Sequence, residues 1–441
     1  MRFFLIAIMT LIIGISLVPF TGLFSADDGI VAIQMLKKED KLGFVPDGGR
    51  NDIRNKETYM SSSHFEAPGT YRNENLDELS EKMEKFVSKE LKMVDKSKVA
   101  SNEERWREAR RVQATTSLHT CQLHNETVTI PTVPYFVIIG AQKSGTTSIA
   151  RYLGEHPDIL PQLHPRRKEV HFFNNVFQGL IANHWVLNKH NDTLPEFWCR
   201  SRKRYVETMY QLDIFLRTIN ETGGSTNLVS FDKTPSYIHL DNCPEFLKRT
   251  CPWMKKIIVV LRDPVDRAYS QHQMDSMRKE KRSFEQRIRD EIKKARLTGL
   301  HDFPDMPDSL EEIQKIEEMP NLNRTSEQEY ESFRQLIGYP MLKKGLYAIQ
   351  LRKWFAYFNF PDEILVLKYE EFQKDPATAY NRVLGFVGLR NHTLKTYEKH
   401  LAGRYEPMPE NCRRYLEKFF RAYNDQLADL LGEEWRNVWT N

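Results

Sequence analysis

An α/β fold with a parallel sheet flanked by helices on both faces is the architecture this sequence predicts, and three apolar runs predict it. Tyr135–Ile139, Lys255–Leu261 and Ile364–Lys368 are short and rich in β-branched residues, and each is followed by turn or helix signals. Runs apolar on every residue are buried on both faces, as parallel strands between helical layers are. Helical spacing fills the intervals, at Met341–Phe358, Thr378–Val387 and Asn411–Leu431. A further strand is expected over Leu228–Phe231. Alternating strands and helices argue for a wound parallel sheet.

The first run leads into the most informative segment. Gly140-Ala141-Gln142-Lys143-Ser144-Gly145-Thr146-Thr147 is a small, polar loop, and from Thr146 the pattern Ile149, Tyr152, Leu153 is helical. A strand, a glycine loop and a helix N-terminus form an anion cradle, because loop amides point inward and the helix dipole favours negative charge. The sheet is therefore P-loop-like. A nucleotide-hydrolysing loop would place lysine after its second glycine. Here Thr146 holds that position and the lysine lies within the loop as Lys143. A nucleotide kinase or NTPase is disfavoured on that ground, and a plain tight turn is the bland alternative.

The second run ends in Arg262-Asp263-Pro264 and continues to Ser270. Pro264 suits a first helical turn. Arg262 stands at a strand's carboxyl end, where open α/β sheets bind ligands. Ser270 follows about two helical turns later and can share that edge. A salt bridge from Arg262 to Asp263 or Asp266 is the structural alternative.

Together these segments resemble the PAPS-dependent sulfotransferases, PAPS being 3′-phosphoadenosine 5′-phosphosulfate. Gln142–Thr147 is similar to the family's 5′-phosphosulfate loop, and Arg262 through Ser270 to its 3′-phosphate motif. Further stretches resemble the Golgi-type carbohydrate branch acting on heparan sulfate and related glycosaminoglycans. Lys168-Glu169-Val170-His171-Phe172-Phe173 looks like its catalytic segment, and Asp232-Lys233-Thr234-Pro235-Ser236-Tyr237 like its Lys-Thr-Pro-x-Tyr motif. Gly403-Arg404-Tyr405-Glu406-Pro407 looks like the end of its nucleotide-embracing loop, with Ala402 where that loop carries lysine. The resemblance spans about residues 131–441. It implies PAPS as donor, with Gln142, Lys143, Ser144, Gly145, Thr146, Thr147, Arg262, Ser270, Gly403 and Arg404 as donor contacts. Glu-Val-His-Phe-Phe leans toward heparan-type acceptors. No two-cysteine loop lies between Leu389 and Gly403, which leaves chondroitin- or dermatan-type acceptors open.

Sulfuryl transfer to a sugar hydroxyl needs a base and positive charge, and lysines with backbone amides supply that charge without a metal. Glu169 is the expected general base, with Asp232 as a lower-ranked competitor. Lys143 and Lys233 are expected to meet developing charge, and His171 to hydrogen-bond the same centre. The alternative for Glu169 is a surface pairing with Arg166, Arg167 or Lys168. Those three basic residues are also expected to meet a sulfated or uronate-containing glycan, as are the basic strips at 200–204 and 278–282. Net charge is only +4. The expected luminal address argues against nucleic acid as a partner.

Phe3–Phe24 carries no charged residue. At about 1.5 Å per residue it is long enough to cross a bilayer. The expected organisation is a cytoplasmic stub at 1–2, a transmembrane signal anchor at 3–24, a luminal stem at 25–130 and a catalytic domain at 131–441. This makes a single-pass type II Golgi membrane protein. A cleaved signal peptide is the rival. Apolar residues from Leu76 to Val94 fall at helical spacing and could pair two stems into a homodimer or, equally, dock on the catalytic domain. Residues 276–335, charged and proline-containing, read as an insertion beside the cleft or a solvated helical excursion. Sequons at Asn125, Asn191, Asn220, Asn323 and Asn391 fit a glycosylated luminal chain. Five cysteines allow up to two disulfides. Cys243 and Cys251 are the nearest candidate pair, and Cys121 is a candidate for an intermolecular bridge. A catalytically silent glycan-binding protein of the same fold is the remaining alternative.

Overall fold

The computed structural model describes residues 113–160, 169–181, 192–209, 212–278, 280–297, 303–320, 341–398 and 406–439. The anchor at 3–24 and the Leu76–Val94 stripe lie outside the described residues. Among the described residues, no helix is long and apolar enough to cross a membrane.

The described chain opens with an antiparallel hairpin, β1 (Thr116–Leu123) and β2 (Glu126–Pro131), and β1 also pairs with β4 (Ser225–Thr226). Both strands of the hairpin thus fall largely within the span 25–130 expected as stem. After a buried Thr116, the segment Thr-Ser-Leu-His-Thr-Cys-Gln-Leu alternates between half-buried and exposed positions, so it shows no apolar run.

The main sheet is all parallel, in the order β5 (Phe231–Lys233), β3 (Phe136–Gly140), β6 (Ile257–Leu261), β7 (Ile364–Lys368). The strand expected at Leu228–Phe231 is displaced toward the carboxyl end. Register against Phe136–Ile138 is made by Phe231, Asp232 and Lys233, whose polar side chains hid the strand. Each strand divides its side chains between two cores. Val137, Ile139, Ile257, Val259, Ile364 and Val366 face one, while Phe136, Ile138, Ile258, Val260, Leu365 and Leu367 face the other. Period-two alternation with both faces apolar accounts for the continuous runs.

The described helices include the following eight. They are α1 (Thr146–Gly154), α2 (Leu194–Glu207), α3 (Pro264–Ser276), α4 (Phe284–Leu297), α5 (Leu310–Glu318), α6 (Tyr347–Phe355), α7 (Pro376–Val387) and α8 (Glu410–Leu431). The first strand of the main sheet, β3, lies between β5 and β6, so the chain reverses its winding there. Such a switch point opens a crevice at the strands' carboxyl ends.

The solvated-excursion reading of 276–335 does not hold for its described part. Phe284, Ile288 and Ile292 of α4 share a third core with Phe303, Ile316 and the α8 residues Tyr415, Leu416 and Phe419.

Candidate active site

Adjacent strands bring three sequence motifs to one edge. β5 ends at Lys233, β3 runs into the loop 141–145, and β6 ends one residue before Arg262. The loop turns into α1 through Gly145, at φ 77. A Cβ there would come within 2.9–3.1 Å of Tyr369 and Phe372, so conformation and space both demand glycine. Arg262 donates to the Lys143 carbonyl at 3.3 Å, and its guanidinium lies 4.9 Å from the centre of the Tyr369 ring. Tyr369 therefore braces both motifs. The salt-bridge alternative for Arg262 is weak. Asp266 is 3.8 Å away and is held more closely by Arg413 at 2.8 Å, while Asp263 caps α3 by accepting from the Val265 amide.

Burial, then the charge of Arg262, lowers the pKa of Lys143. Excess positive charge of this kind suits an anion. Ser144 is fully buried, and its Oγ has no hydrogen-bond partner. Thr146 and Ser270 are also buried, the latter on α3.

The second half of the site lies at Glu169. Lys233 Nζ donates to Glu169 Oε1 at 3.0 Å, and His171 Nε2 lies 3.0 Å from Oε2. Burial opposes ionisation of Glu169. The His171 hydrogen bond and the charge of Lys233 outweigh it and hold the carboxyl below its usual range. The bond from Glu169 raises the pKa of His171 against burial. Asn174 Nδ2 lies 3.0 Å from His171 Nδ1 and donates to Ser236 Oγ at 3.2 Å. Donation from Asn174 to Nδ1 leaves the ring proton on Nε2, facing the carboxylate.

His171 has φ 55, in the left-handed region, and a buried platform holds it there. Thr234 Oγ1 accepts from the Val170 and His171 amides, each at 3.2 Å. Tyr237 Oη accepts from the Phe172 amide at 2.8 Å and the Phe173 amide at 3.4 Å. Asp232 anchors this layer, accepting from Thr234 at 2.7 Å and from Tyr205 of α2 at 2.6 Å. Burial raises the Asp232 pKa to about 6. Asp232 is fully enclosed, and both of its oxygens accept from hydroxyls.

Thus Glu169, His171 and Lys233 meet directly, as Lys143 and Arg262 do. Arg166, Arg167, Lys168, Gly403 and Arg404 lie outside the described residues, as do Asn191 and Asn323. Asn125, Asn220 and Asn391 are exposed, as glycan attachment requires. In the strips at 200–204 and 278–282, Lys203, Arg278 and Lys281 are exposed, while three arginines are engaged within the protein. Arg200 pairs with Asp192, Arg202 donates to the carbonyls of Arg249 and Thr250, and Arg282 pairs with Glu280 and Asp290.

The cysteine expectation is corrected. Cys121 of β1 bonds to Cys199 of α2, while Cys243 and Cys251 are free and buried. The Cys121 thiol is thereby unavailable for an intermolecular bridge. Asn174, Tyr205 and Lys344 were not singled out from the sequence. Asn174 had a signal in its three-residue offset from His171, but the other two had none.

Strand, glycine loop and cationic residues meet at one edge of an α/β protein. The sulfotransferase domain profile matches residues 134–411, and the chain belongs to the sulfotransferase family. It is 24% identical over 354 residues to the membrane-associated sulfotransferase kil1 of Dictyostelium discoideum, covering 70% of this chain and 67% of that protein. It is 24% identical to the bifunctional heparan sulfate N-deacetylase/N-sulfotransferase 4 of Mus musculus, covering 68% of this chain but 30% of that protein. Against the heparan sulfate glucosamine 3-O-sulfotransferase 6 of Homo sapiens it is 22% identical, covering 68% and 72%. A sulfotransferase structure from Alicyclobacillus acidocaldarius superposes with a TM-score of 0.42 at 21% identity, covering 69% of this chain and 98% of that one.

Proposed function

We propose that this chain transfers a sulfuryl group from PAPS to a hydroxyl of a glycosaminoglycan-type glycan. The observation that carries this reading is Glu169, an ionised carboxylate within 3.0 Å of both Lys233 and His171, on the edge where the glycine loop ends. The loop fits the donor, since a buried Ser144 hydroxyl without a partner and a desolvated Lys143 are what a phosphosulfate group would complete. Gln142 to Thr147 would hold that group, and Arg262 and Ser270 the 3′-phosphate. Gly403 and Arg404 are proposed to close over the nucleotide.

When bound, PAPS supplies an electrophilic sulfur whose bond to the 5′-phosphate oxygen breaks as the acceptor's O–S bond forms, the leaving bisphosphate keeping the electron pair. Glu169 takes the acceptor hydroxyl's proton. Its low pKa makes it a weak base, so the charge around the reacting centre must carry much of the work. Lys233 sits beside the base and neutralises charge developing nearby, with Lys143 on the loop side. His171 steadies the second carboxylate oxygen and is in reach of the acceptor. Arg166, Arg167 and Lys168, just before the base, are proposed to meet sulfates or uronates of the glycan. The charge-free segment 3–24 and the exposed sequons support a type II Golgi membrane protein with this domain in the lumen, and the stem stripe a homodimer.

The test uses the full chain with sulfur-labelled PAPS, offered heparan sulfate, desulfated heparin, chondroitin, dermatan and a tyrosine peptide. Label is expected in a glycan, and Glu169→Gln should lower turnover by about 10²–10⁴-fold with donor affinity retained. Label entering the peptide alone, or wild-type turnover in the variant, would sink the reading.

A further inference from the structure

Around the segment Met341–Gly345, three buried cations cluster. Arg267 is 0% exposed, Arg287 6% and Lys344 8%. Arg287 is met by Asp275 at 3.0 Å, and more distantly by Glu280 at 3.8 Å and Glu291 at 3.9 Å. Glu291 of α4 directs its two oxygens at the backbone, accepting from the Met341 and Leu342 amides at 2.7 Å each. Desolvated positive charge is unfavourable unless negative charge or hydrogen-bond acceptors meet it.

Lys344 is the cation turned toward the cradle. Its Nζ donates to Gln142 Oε1 at 2.9 Å, one residue before Lys143. Burial, and then the charge of Arg267, bring its pKa down to about 8. Asp275, Glu291 and Arg287 also act on it, the two carboxylates opposing that fall.

The backbone carrying Lys344 is clamped from several sides. Arg267 donates to the Met341 carbonyl. A Cβ on Gly345 would lie 2.8–2.9 Å from Phe420 and Pro264, so the chain runs against the start of α3. Two residues on, Tyr347 Oη donates to the Arg262 carbonyl at 2.8 Å. The segment thus follows the same strand edge as both donor motifs, and α4 of the charged insertion fixes where it begins.

We propose that Lys344 is a further donor-binding residue, whose ammonium passes from the Gln142 amide oxygen to the phosphosulfate end of the nucleotide, and that the insertion holds it there through Glu291. This rests on the PAPS reading and deepens it by giving the insertion a part in donor recognition. In that role the insertion sets donor affinity and leaves the Glu169 centre alone.

Calorimetric titration of adenosine 3′,5′-bisphosphate into the full chain tests it. Lys344→Met should weaken binding at least tenfold, and Lys344→Arg should restore most of the loss. Glu291→Gln, which sets an N–H against an amide N–H, should weaken binding several-fold. Folded Lys344→Met binding within twofold of wild type would overturn the inference. If that variant lacks a cooperative melting transition, wild-type affinity in Glu291→Gln overturns it instead. Failure of the unsubstituted chain to bind the bisphosphate would sink the donor reading itself, a result distinct from either variant outcome.

Discussion

The two halves of the site are built by different means. The donor half is local, with a strand, a loop and a helix N-terminus contiguous in sequence presenting backbone amides, and lysine and arginine added at strand ends. The acceptor half is tertiary. Glu169 and His171 lie off the sheet, on a left-handed turn whose amides are met by the hydroxyls of Thr234 and Tyr237. Both hydroxyl residues follow Lys233, which places one cation and two acceptors within five residues at the end of β5. On the proposed reading, donor binding would depend on backbone form and charge, whereas base placement would depend on side-chain hydrogen bonds. Substitutions should separate them.

The largest separation is expected at Arg262. If Arg262 holds the donor as proposed, its loss removes a charge-assisted hydrogen bond worth about 1.5–3 kcal/mol, or roughly 10–100-fold in affinity. In Arg262→Ala, bisphosphate affinity should fall by that factor while kcat at saturating donor stays within a few-fold. An equal fall in kcat would show that the halves are coupled through Lys143.

A smaller and opposite effect is expected at the platform. Thr234→Val leaves the Val170 and His171 amides without their acceptor and removes a donor to Asp232. The stability loss should be about 1–3 kcal/mol. A displaced base should lower kcat by roughly tenfold, within the range attributed to sub-ångström misplacement. Donor affinity should hold, and Thr234→Ser should rescue kcat. Steady-state kinetics beside bisphosphate titration reads both, and a loss confined to KM for the donor would break the distinction.

This difference also explains what could be read in advance. The parallel sheet was legible because β3, β6 and β7 are buried on both faces and written as unbroken apolar runs. The cradle was legible because its parts are adjacent. Glu169, His171 and Lys233 could be nominated through motif resemblance, but not their contact, since 64 residues separate Lys233 from Glu169. The platform was harder still. A threonine and a tyrosine after a lysine carry no mark that their oxygens face four backbone amides. Lys344 looked like one more charge in a basic chain until its burial beside Gln142 was seen.

The disulfide shows the same limit and provides the finest test. Sequence proximity favoured Cys243 with Cys251, yet the bond joins residues 78 apart, because the half-exposed β1 carried no apolar signature. It ties the hairpin to α2, the helix that brings Tyr205 to Asp232. Removing the bond by Cys121→Ser should cost about 2–4 kcal/mol of stability, read by thermal or denaturant melting. Any effect on activity should be confined to the acceptor half. Tyr205 is also packed at 4.5 Å from Phe172 and 5.2 Å from Phe173, so kcat should fall by no more than about twofold, on the reasoning that a well-packed neighbourhood has few alternative arrangements. Bisphosphate affinity should be unchanged, because no donor contact runs through α2. A donor-affinity loss in Cys121→Ser would mean that the two halves share a support that their geometry does not reveal.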